Sequence, residues 1–155
     1  MIYLASKSPR RKQLLQQLRI ELEVIDIDES WNGEESTTEY VSRLAVEKAR
    51  AGKIKFNTTL PVLAFDTEVV SEDKILGKPE DRATATNMLM NLSGKTHQVF
   101  SAVALIDDNE RIELNINNAS FKHLSTTECE QYCDTEEPFD NAGALVVFKV
   151  KLRLL

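Results

Sequence analysis

Strand-like and helix-like segments alternate along the first part of this 155-residue chain. Ile2 to Ala5 is a short apolar segment, and Ser8 and Pro9 then suit the N-cap and the first position of a helix. A capping box at Ser36 opens another helix. The apolar segment from Leu60 to Phe65 follows it and has the length of a buried strand. This alternation predicts an α/β domain, in which helices cover the faces of a sheet.

The later part of the chain favours a hairpin, because two strand-like segments flank the polar residues 107–109. A hairpin is antiparallel, whereas strands joined by helices run parallel, so we expect a mixed sheet flanked by helices in a single domain, residues 1–155. The remaining predicted elements are strands at Leu22–Ile27 and Glu68–Val70, the second beyond a bend at Asp66, a helix at Asp81–Leu92, the hairpin strands Val99–Ile106 and Ile112–Phe121, and a short helix from a capping box at Ser125 to about Cys133.

Composition excludes several classes of function. The net charge of −6 argues against nucleic-acid binding, which needs a basic face. No apolar run is long enough to span a bilayer, and the N-terminus lacks a signal-peptide core, so we expect a cytoplasmic protein without a membrane partner. Cys129 and Cys133 lie one helical turn apart and are expected to be reduced, buried thiols. His97 and His123 are isolated, so they predict no Cys/His metal site.

The segment from residue 6 to residue 11 is a candidate phosphate site. It lies between a predicted strand and a predicted helix start, where unpaired N–H groups and the positive end of the helix dipole favour anions. Ser6 and Ser8 add hydroxyl donors, and Arg10 and Arg11 add guanidinium groups that grip phosphate with paired hydrogen bonds. The alternative is a solvated basic helix start.

Carboxylates form a second candidate group. Asp66 follows an apolar strand, the position where α/β folds place ligands, and it could take a proton from water or hold a divalent cation. Asp28 and Glu29 offer oxygen ligands for Mg²⁺ in a polar loop. The alternatives are an aspartate that merely ends a strand and an ordinary acidic loop.

Two lysines could neutralise a triphosphate. Lys48 follows apolar helix positions, and Lys78 lies between Gly77 and Pro79. Ordinary surface lysines are the alternative interpretation for both.

Taken together, these segments resemble the Maf family of nucleotide pyrophosphatases. The resemblance covers residues 1–144, and residues 145–155 form a divergent tail. The matching blocks occur in the family's order, and they are Leu4-Ala5-Ser6-Lys7-Ser8-Pro9-Arg10-Arg11, Asp26-Ile27-Asp28-Glu29, Arg43-Leu44-Ala45-Val46-Glu47-Lys48-Ala49, Asp66-Thr67, Gly77-Lys78-Pro79, Leu92-Ser93-Gly94-Lys95-Thr96-His97-Gln98-Val99 and Ala142-Gly143-Ala144.

The resemblance implies a Maf/ITPase-like fold and hydrolysis of a nucleoside triphosphate to the monophosphate and pyrophosphate. It also implies a divalent cation, Mg²⁺ or Mn²⁺, a homodimer, and a link to septum formation. The arginine pair, Asp66-Thr67 and His97 resemble the branch acting on dTTP and UTP, with modified pyrimidine nucleotides as further candidates. Phe65 departs from the family, which usually has a small residue there, and its ring could crowd the base pocket.

The resemblance also assigns roles to individual residues. The implied proton acceptor is Asp66, and the other implied polar active-site positions are Glu29, Lys48 and Lys78. Arg11 and Thr67 match positions tied to substrate choice. Glu29 and Asp66 are the expected ligands of the family's cation, and Ser6, Ser8, Arg10 and Arg11 remain the phosphate-binding residues expected from the helix-start argument above.

The tail after Ala144 departs from the family, which continues with a Tyr-Gly-Ile-Gln-Gly segment. In a shifted reading frame, the codons allowed for Val146 to Lys151 can encode Gly-Ile-Gln-Gly-Lys, so we infer a frameshift near Leu145. The C-terminal part of the fold, with the family's specificity glutamine, would then be missing. The alternative function is a catalytically impaired nucleotide-binding remnant or a division-linked interaction protein without turnover.

Overall fold

A computed structural model of the protein describes residues 2–6, 20–23, 25, 27–31, 33–135 and 137–140. The helix predicted after Ser8 and the tail at 145–155 lie outside these residues. The described elements are strands β1 (Ile2–Ala5), β2 (Ile20–Glu23), β3 (Val62–Ser71), β4 (Lys74–Leu76), β5 (Thr96–Ile106) and β6 (Glu110–Ser120), helices α1 (Thr37–Phe56), α2 (Arg82–Leu92) and α3 (Thr126–Cys133), and a 3₁₀ turn at Glu137–Asp140.

The described strands form a mixed sheet in the order β2-β1-β3-β5-β6, and β4 pairs with β3. β1 runs parallel to β2 and to β3, whereas β4 is antiparallel to β3. A three-residue connection joins β5 to β6, which only antiparallel neighbours allow. The predicted α/β class, mixed sheet and hairpin are therefore confirmed.

The chain divides into two compact units. The first unit comprises Met1–Thr67 and Phe100–Asn115, and the second comprises Glu68–Val99 and Ile116–Leu155. No helix among the described ranges has both the length and the apolar composition needed to cross a membrane.

Helix α1 forms the interior of the first unit together with β1 and β3. The Ser36 side chain accepts a hydrogen bond from the Glu39 backbone, and the Glu39 side chain accepts one from the Ser36 backbone, which confirms the predicted capping box. A Cβ atom on Gly52 would lie only 2.9 Å from Val62 Cγ1 and 3.1 Å from the Ala5 Cβ. Glycine at this position therefore lets the helix approach the sheet closely.

The second unit has an apolar interior built on α2 and α3. Asp81 caps α2, and Ser125 opens α3 with the second predicted capping box. Both thiols on α3 are buried, as expected. The buried cluster consists of Val69, Ala85, Leu89, Leu92, Val99, Cys129 and Cys133.

Several strand predictions were wrong in their bounds. The hairpin strands expected at Val99–Ile106 and Ile112–Phe121 are β5, Thr96–Ile106, and β6, Glu110–Ser120, and the strand expected from Leu60 begins at Val62. The strand expected at Leu22–Ile27 is β2, Ile20–Glu23, because each of its four residues pairs with one residue of β1. The bend expected at Asp66 does not occur, and one strand, β3, runs through it. Pairing of residues 69–71 with β4 extends β3, and β4 itself was not predicted.

Candidate active site

Lys48 on α1 reaches Asp66 on β3 within the first unit. The Nζ atom of Lys48 lies 2.7 Å from Oδ1 of Asp66, and Asp66 is only 5% exposed. Gly52 contacts Val62, so Lys48, one helical turn before Gly52, lies along the same side of the helix. Val62 and Asp66 are four residues apart in the strand and share one face of it. The close helix–sheet packing therefore positions this ion pair.

A second carboxylate joins the same ammonium group. Glu29 Oε1 lies 2.9 Å from Lys48 Nζ, so Lys48 contacts two carboxylates. Burial alone would lower the pKa of Lys48, but the charges and hydrogen bonds of Asp66 and Glu29 outweigh it, and the pKa is raised. Lys48 therefore remains an ammonium at neutral pH, and the group of three carries a net negative charge suited to a cation.

The strand alternation separates Asp66 from its neighbours in sequence. The side chain of Thr67 projects from the opposite face of β3, and its hydroxyl lies 3.4 Å from the hydroxyl of Ser101 on β5. Sequence reasoning missed Ser101, because its proximity to Thr67 depends on strand pairing that no local signal encodes. Phe65 is half-buried in the same strand.

The remaining expected site residues divide into three groups. Ser6 is buried and follows β1, whose last residue, Ala5, pairs with Ala64. Because β1 and β3 are parallel, Ser6 lies toward the same end of the sheet as Asp66. Lys78 is exposed and belongs to the second unit. Ser8, Arg10 and Arg11 lie outside the described residues.

Within the described residues, the two carboxylates that contact Lys48 suit a divalent cation that substrate phosphates also bind. Among the described parts of the chain, no group of three or more His, Cys, Asp or Glu side chains could hold a metal ion by itself. Mg²⁺ is commonly bound through one or two carboxylates together with substrate phosphates. Glu29 and Asp66, both near Lys48, supply a donor set of that kind.

Known proteins resemble this chain over most of its length. The family model described as Maf-like protein matches residues 1–152, beyond the expected limit at 144. The dTTP/UTP pyrophosphatase of Alkalilimnicola ehrlichii is 41% identical over 153 residues, which cover 94% of this chain and 76% of that relative. The dTTP/UTP pyrophosphatase of Escherichia coli K12 is 44% identical over 146 residues, which cover 92% and 74% respectively.

A solved structure shares the fold. The Ham1 protein of Staphylococcus aureus matches with a TM-score of 0.53 and 16% sequence identity, and the match covers 77% of this chain and 70% of that chain. At this level of identity the likeness concerns the architecture alone, and it agrees with the mixed sheet described above.

Proposed function

Because this chain belongs to the Maf-like protein family, we propose that it hydrolyses dTTP and UTP, each to the nucleoside monophosphate and pyrophosphate. Modified pyrimidine nucleotides are further candidate substrates. The observation that carries the proposal is the contact of the Lys48 ammonium with both Asp66 and Glu29. Such a group combines a proton acceptor with a cation that can balance phosphate charge.

Asp66 is the proposed proton acceptor. It lies almost out of contact with bulk water, and its ion pair with Lys48 holds it in place. A carboxylate positioned in this way can take a proton from the attacking water as one water molecule is consumed. The Lys48 ammonium contacts this carboxylate, and an adjacent positive charge favours the charged form of a carboxylate before it takes up the proton.

The other proposed site residues act on the triphosphate and the base. Ser6, Ser8, Arg10 and Arg11 are proposed to bind phosphate, Lys78 to balance its charge, and Arg11 and Thr67 to contribute to substrate choice.

Glu29 and Asp66 are the proposed ligands of a divalent cation, Mg²⁺ or Mn²⁺. When bound, such a cation polarises phosphoryl oxygens and neutralises their charge. We also propose that the protein is cytoplasmic, acts as a homodimer, and binds neither nucleic acid nor membrane.

Product analysis tests the proposal. The protein is incubated with UTP or dTTP and Mg²⁺ or Mn²⁺, and the products are separated by ion-exchange chromatography. We expect equal amounts of monophosphate and pyrophosphate, with much slower release from ATP. Release of orthophosphate and a nucleoside diphosphate would contradict the proposal, and nucleotide binding without any product would support the alternative of a non-catalytic remnant.

A further inference from the structure

The loop that carries Glu29 precedes α1 and is described at 27–31 and 33–35. No described residue of this loop belongs to a helix or strand, and the side chain of Glu29 is half-exposed. A carboxylate on such a loop keeps a fixed distance to Lys48 only if other contacts hold the loop backbone in place. The contacts of the loop backbone therefore decide where Glu29 lies.

Arg43 on α1 forms hydrogen bonds with two residues of the loop, Ser30 and Glu35. Its Nη2 atom donates a hydrogen bond to the Ser30 carbonyl oxygen at 3.0 Å. The same guanidinium grips the Glu35 carboxylate through Nε at 2.9 Å and Nη2 at 2.7 Å. The Glu35 side chain is only 10% exposed. One arginine on α1 thus holds both the segment next to Glu29 and the end of the loop.

Tyr40 holds the backbone of Glu29 itself by a hydrogen bond. Its hydroxyl donates a hydrogen bond to the Glu29 carbonyl oxygen at 2.6 Å, and the Arg43 guanidinium lies 5.5 Å from the centre of the Tyr40 ring. The Ser30 backbone N–H also donates to Asp28 Oδ1 at 2.9 Å. Tyr40 and Arg43, which lie about one helical turn apart, therefore donate hydrogen bonds to two consecutive carbonyl groups, those of Glu29 and Ser30.

Helix α1 carries both these anchors and Lys48. Because a helix is rigid over two turns, the same element fixes Lys48 and the backbone that presents Glu29 to it. We propose that Arg43, assisted by Tyr40, is a positioning residue that sets the distance between Glu29 and Lys48. The inference rests on the proposed function for its kinetic consequences, and on the loop contacts alone for its structural ones.

Lysine cannot replace Arg43 in this role. The planar guanidinium forms parallel hydrogen bonds with one carboxylate and still reaches a carbonyl, whereas an ammonium is a single point donor. A displacement of about 1 Å in a reacting group can reduce a rate by about 100-fold. We therefore expect Arg43→Lys to lower kcat/KM for UTP by about 10-fold to 100-fold, mostly through kcat.

Arg50 provides the matched control. It lies on the same helix and also grips a carboxylate with two nitrogen atoms, that of Glu110, at 3.0 Å and 3.2 Å. Its side chain is 62% exposed, and its partner lies on β6 rather than in the loop. Arg50→Lys makes the same chemical change on α1 but should leave kcat and KM unchanged.

Trp31 reports on the loop without any assay of activity. It is the single tryptophan of the chain, and its Nε1 donates a hydrogen bond to the Glu35 carbonyl oxygen at 3.0 Å. We expect Arg43→Lys to increase the quenching of Trp31 fluorescence by acrylamide. Tyr40→Phe should do so to a smaller extent, and Arg50→Lys should have no effect.

The decisive experiment combines these variants with Glu29→Gln. Steady-state UTP hydrolysis, thermal melting and acrylamide quenching are measured for wild type, Arg43→Lys, Arg50→Lys, Glu29→Gln and the Arg43→Lys/Glu29→Gln double variant. If Arg43 acts through Glu29, Arg43→Lys should cost much less in the double variant than in the wild type.

Three results would overturn the inference. They are wild-type kcat/KM in Arg43→Lys, equal losses in Arg43→Lys and Arg50→Lys, and the same fold-loss from Arg43→Lys with and without Glu29. If the wild-type protein releases no pyrophosphate from UTP or dTTP, the proposed function fails by itself. Quenching of Trp31 then decides the inference, and unchanged quenching in Arg43→Lys overturns it.

Discussion

The two compact units differ in the state of a buried polar side chain, which is paired with an opposite charge in the first unit and neutral in the second. In the first unit, the buried Asp66 is paired with the partly buried Lys48, and their charged atoms lie 2.7 Å apart. In the second unit, His97 is 2% exposed, and neither ring nitrogen has a hydrogen-bond partner among the described residues. Its ring lies 5.2 Å from that of Phe121. Burial lowers the pKa of His97, so the ring is neutral and packs as an aromatic side chain.

This difference supports the proposed placement of the reaction centre in the first unit. Burying an ion costs several kcal/mol unless a partner compensates for it, and such a pair contributes less stability than an apolar core of the same volume. The first unit has this costly ion pair beside a loop carboxylate, an arrangement that is common at functional sites. The second unit has an apolar interior, which is what stability alone favours.

Asp66→Asn removes the charge on which the first unit depends, so it should have the largest effect on activity. The change keeps the shape of the side chain but abolishes the proton acceptor, and among the described residues Glu29 is then the one carboxylate that contacts Lys48. We expect pyrophosphate release to fall by about 100-fold or more. Asp108→Asn, in the exposed connection between β5 and β6, is the control and should retain full activity. Full activity in folded Asp66→Asn would refute the assigned role.

Leu92→Ala tests the apolar interior of the second unit. Leu92 is fully buried, so its truncation should lower the free energy of unfolding by about 2–5 kcal/mol. Denaturant unfolding measures this change, and Asn91→Ala on the exposed side of α2 serves as the control. A loss below about 1 kcal/mol would show that this interior is not tightly packed.

Gly52→Ala tests the close helix–sheet approach that brings Lys48 to Asp66. The added methyl group would meet Val62 at 2.9 Å, so we expect a loss of stability of about 1–3 kcal/mol. The gain in helix propensity, about 1 kcal/mol, offsets part of it. The methyl group added by Gly77→Ala would meet no atom within 4 Å, so this variant should have nearly the stability of the wild type. Equal melting temperatures for the two variants would contradict the proposed packing.

The smallest expected effect is a pH dependence from His97. Its folded pKa lies below the ordinary value, so on acidification the unfolded chain takes up the proton first. Stability should therefore fall as the pH drops through about 6.5, and it should be insensitive to this group above that pH. His97→Leu should reduce this acid sensitivity of the unfolding free energy, measured by denaturant unfolding over a range of pH. An unchanged pH profile in His97→Leu would mean that the ring is not buried neutral.

Local signals in the sequence predicted much of the fold. The capping boxes at Ser36 and Ser125 fixed the starts of α1 and α3, because each box is complete within four residues. The bounds of β2 and the continuity of β3 were not predictable in this way. They depend on pairing with β1 and β4, and such pairing leaves no local trace in the chain.

The candidate site was likewise predictable only in part from the sequence. The order of the sequence blocks pointed to Glu29, Lys48 and Asp66, and these three side chains meet in the structure. The link between Thr67 and Ser101 and the grip of Arg43 on the loop depend on strand order and loop path. Arg43 did stand in a recognised block, and that position is the one signal by which it could have been found.

We propose that Lys48 and Asp66 act as one unit in the reaction. A double-mutant cycle of Lys48→Met and Asp66→Asn tests it most directly, with kcat/KM for pyrophosphate release from UTP as the measured quantity. Groups that act together are strongly non-additive, so the double variant should lose about as much activity as the more damaging single variant. If the two fold-losses instead multiply, the residues act independently and the account is wrong.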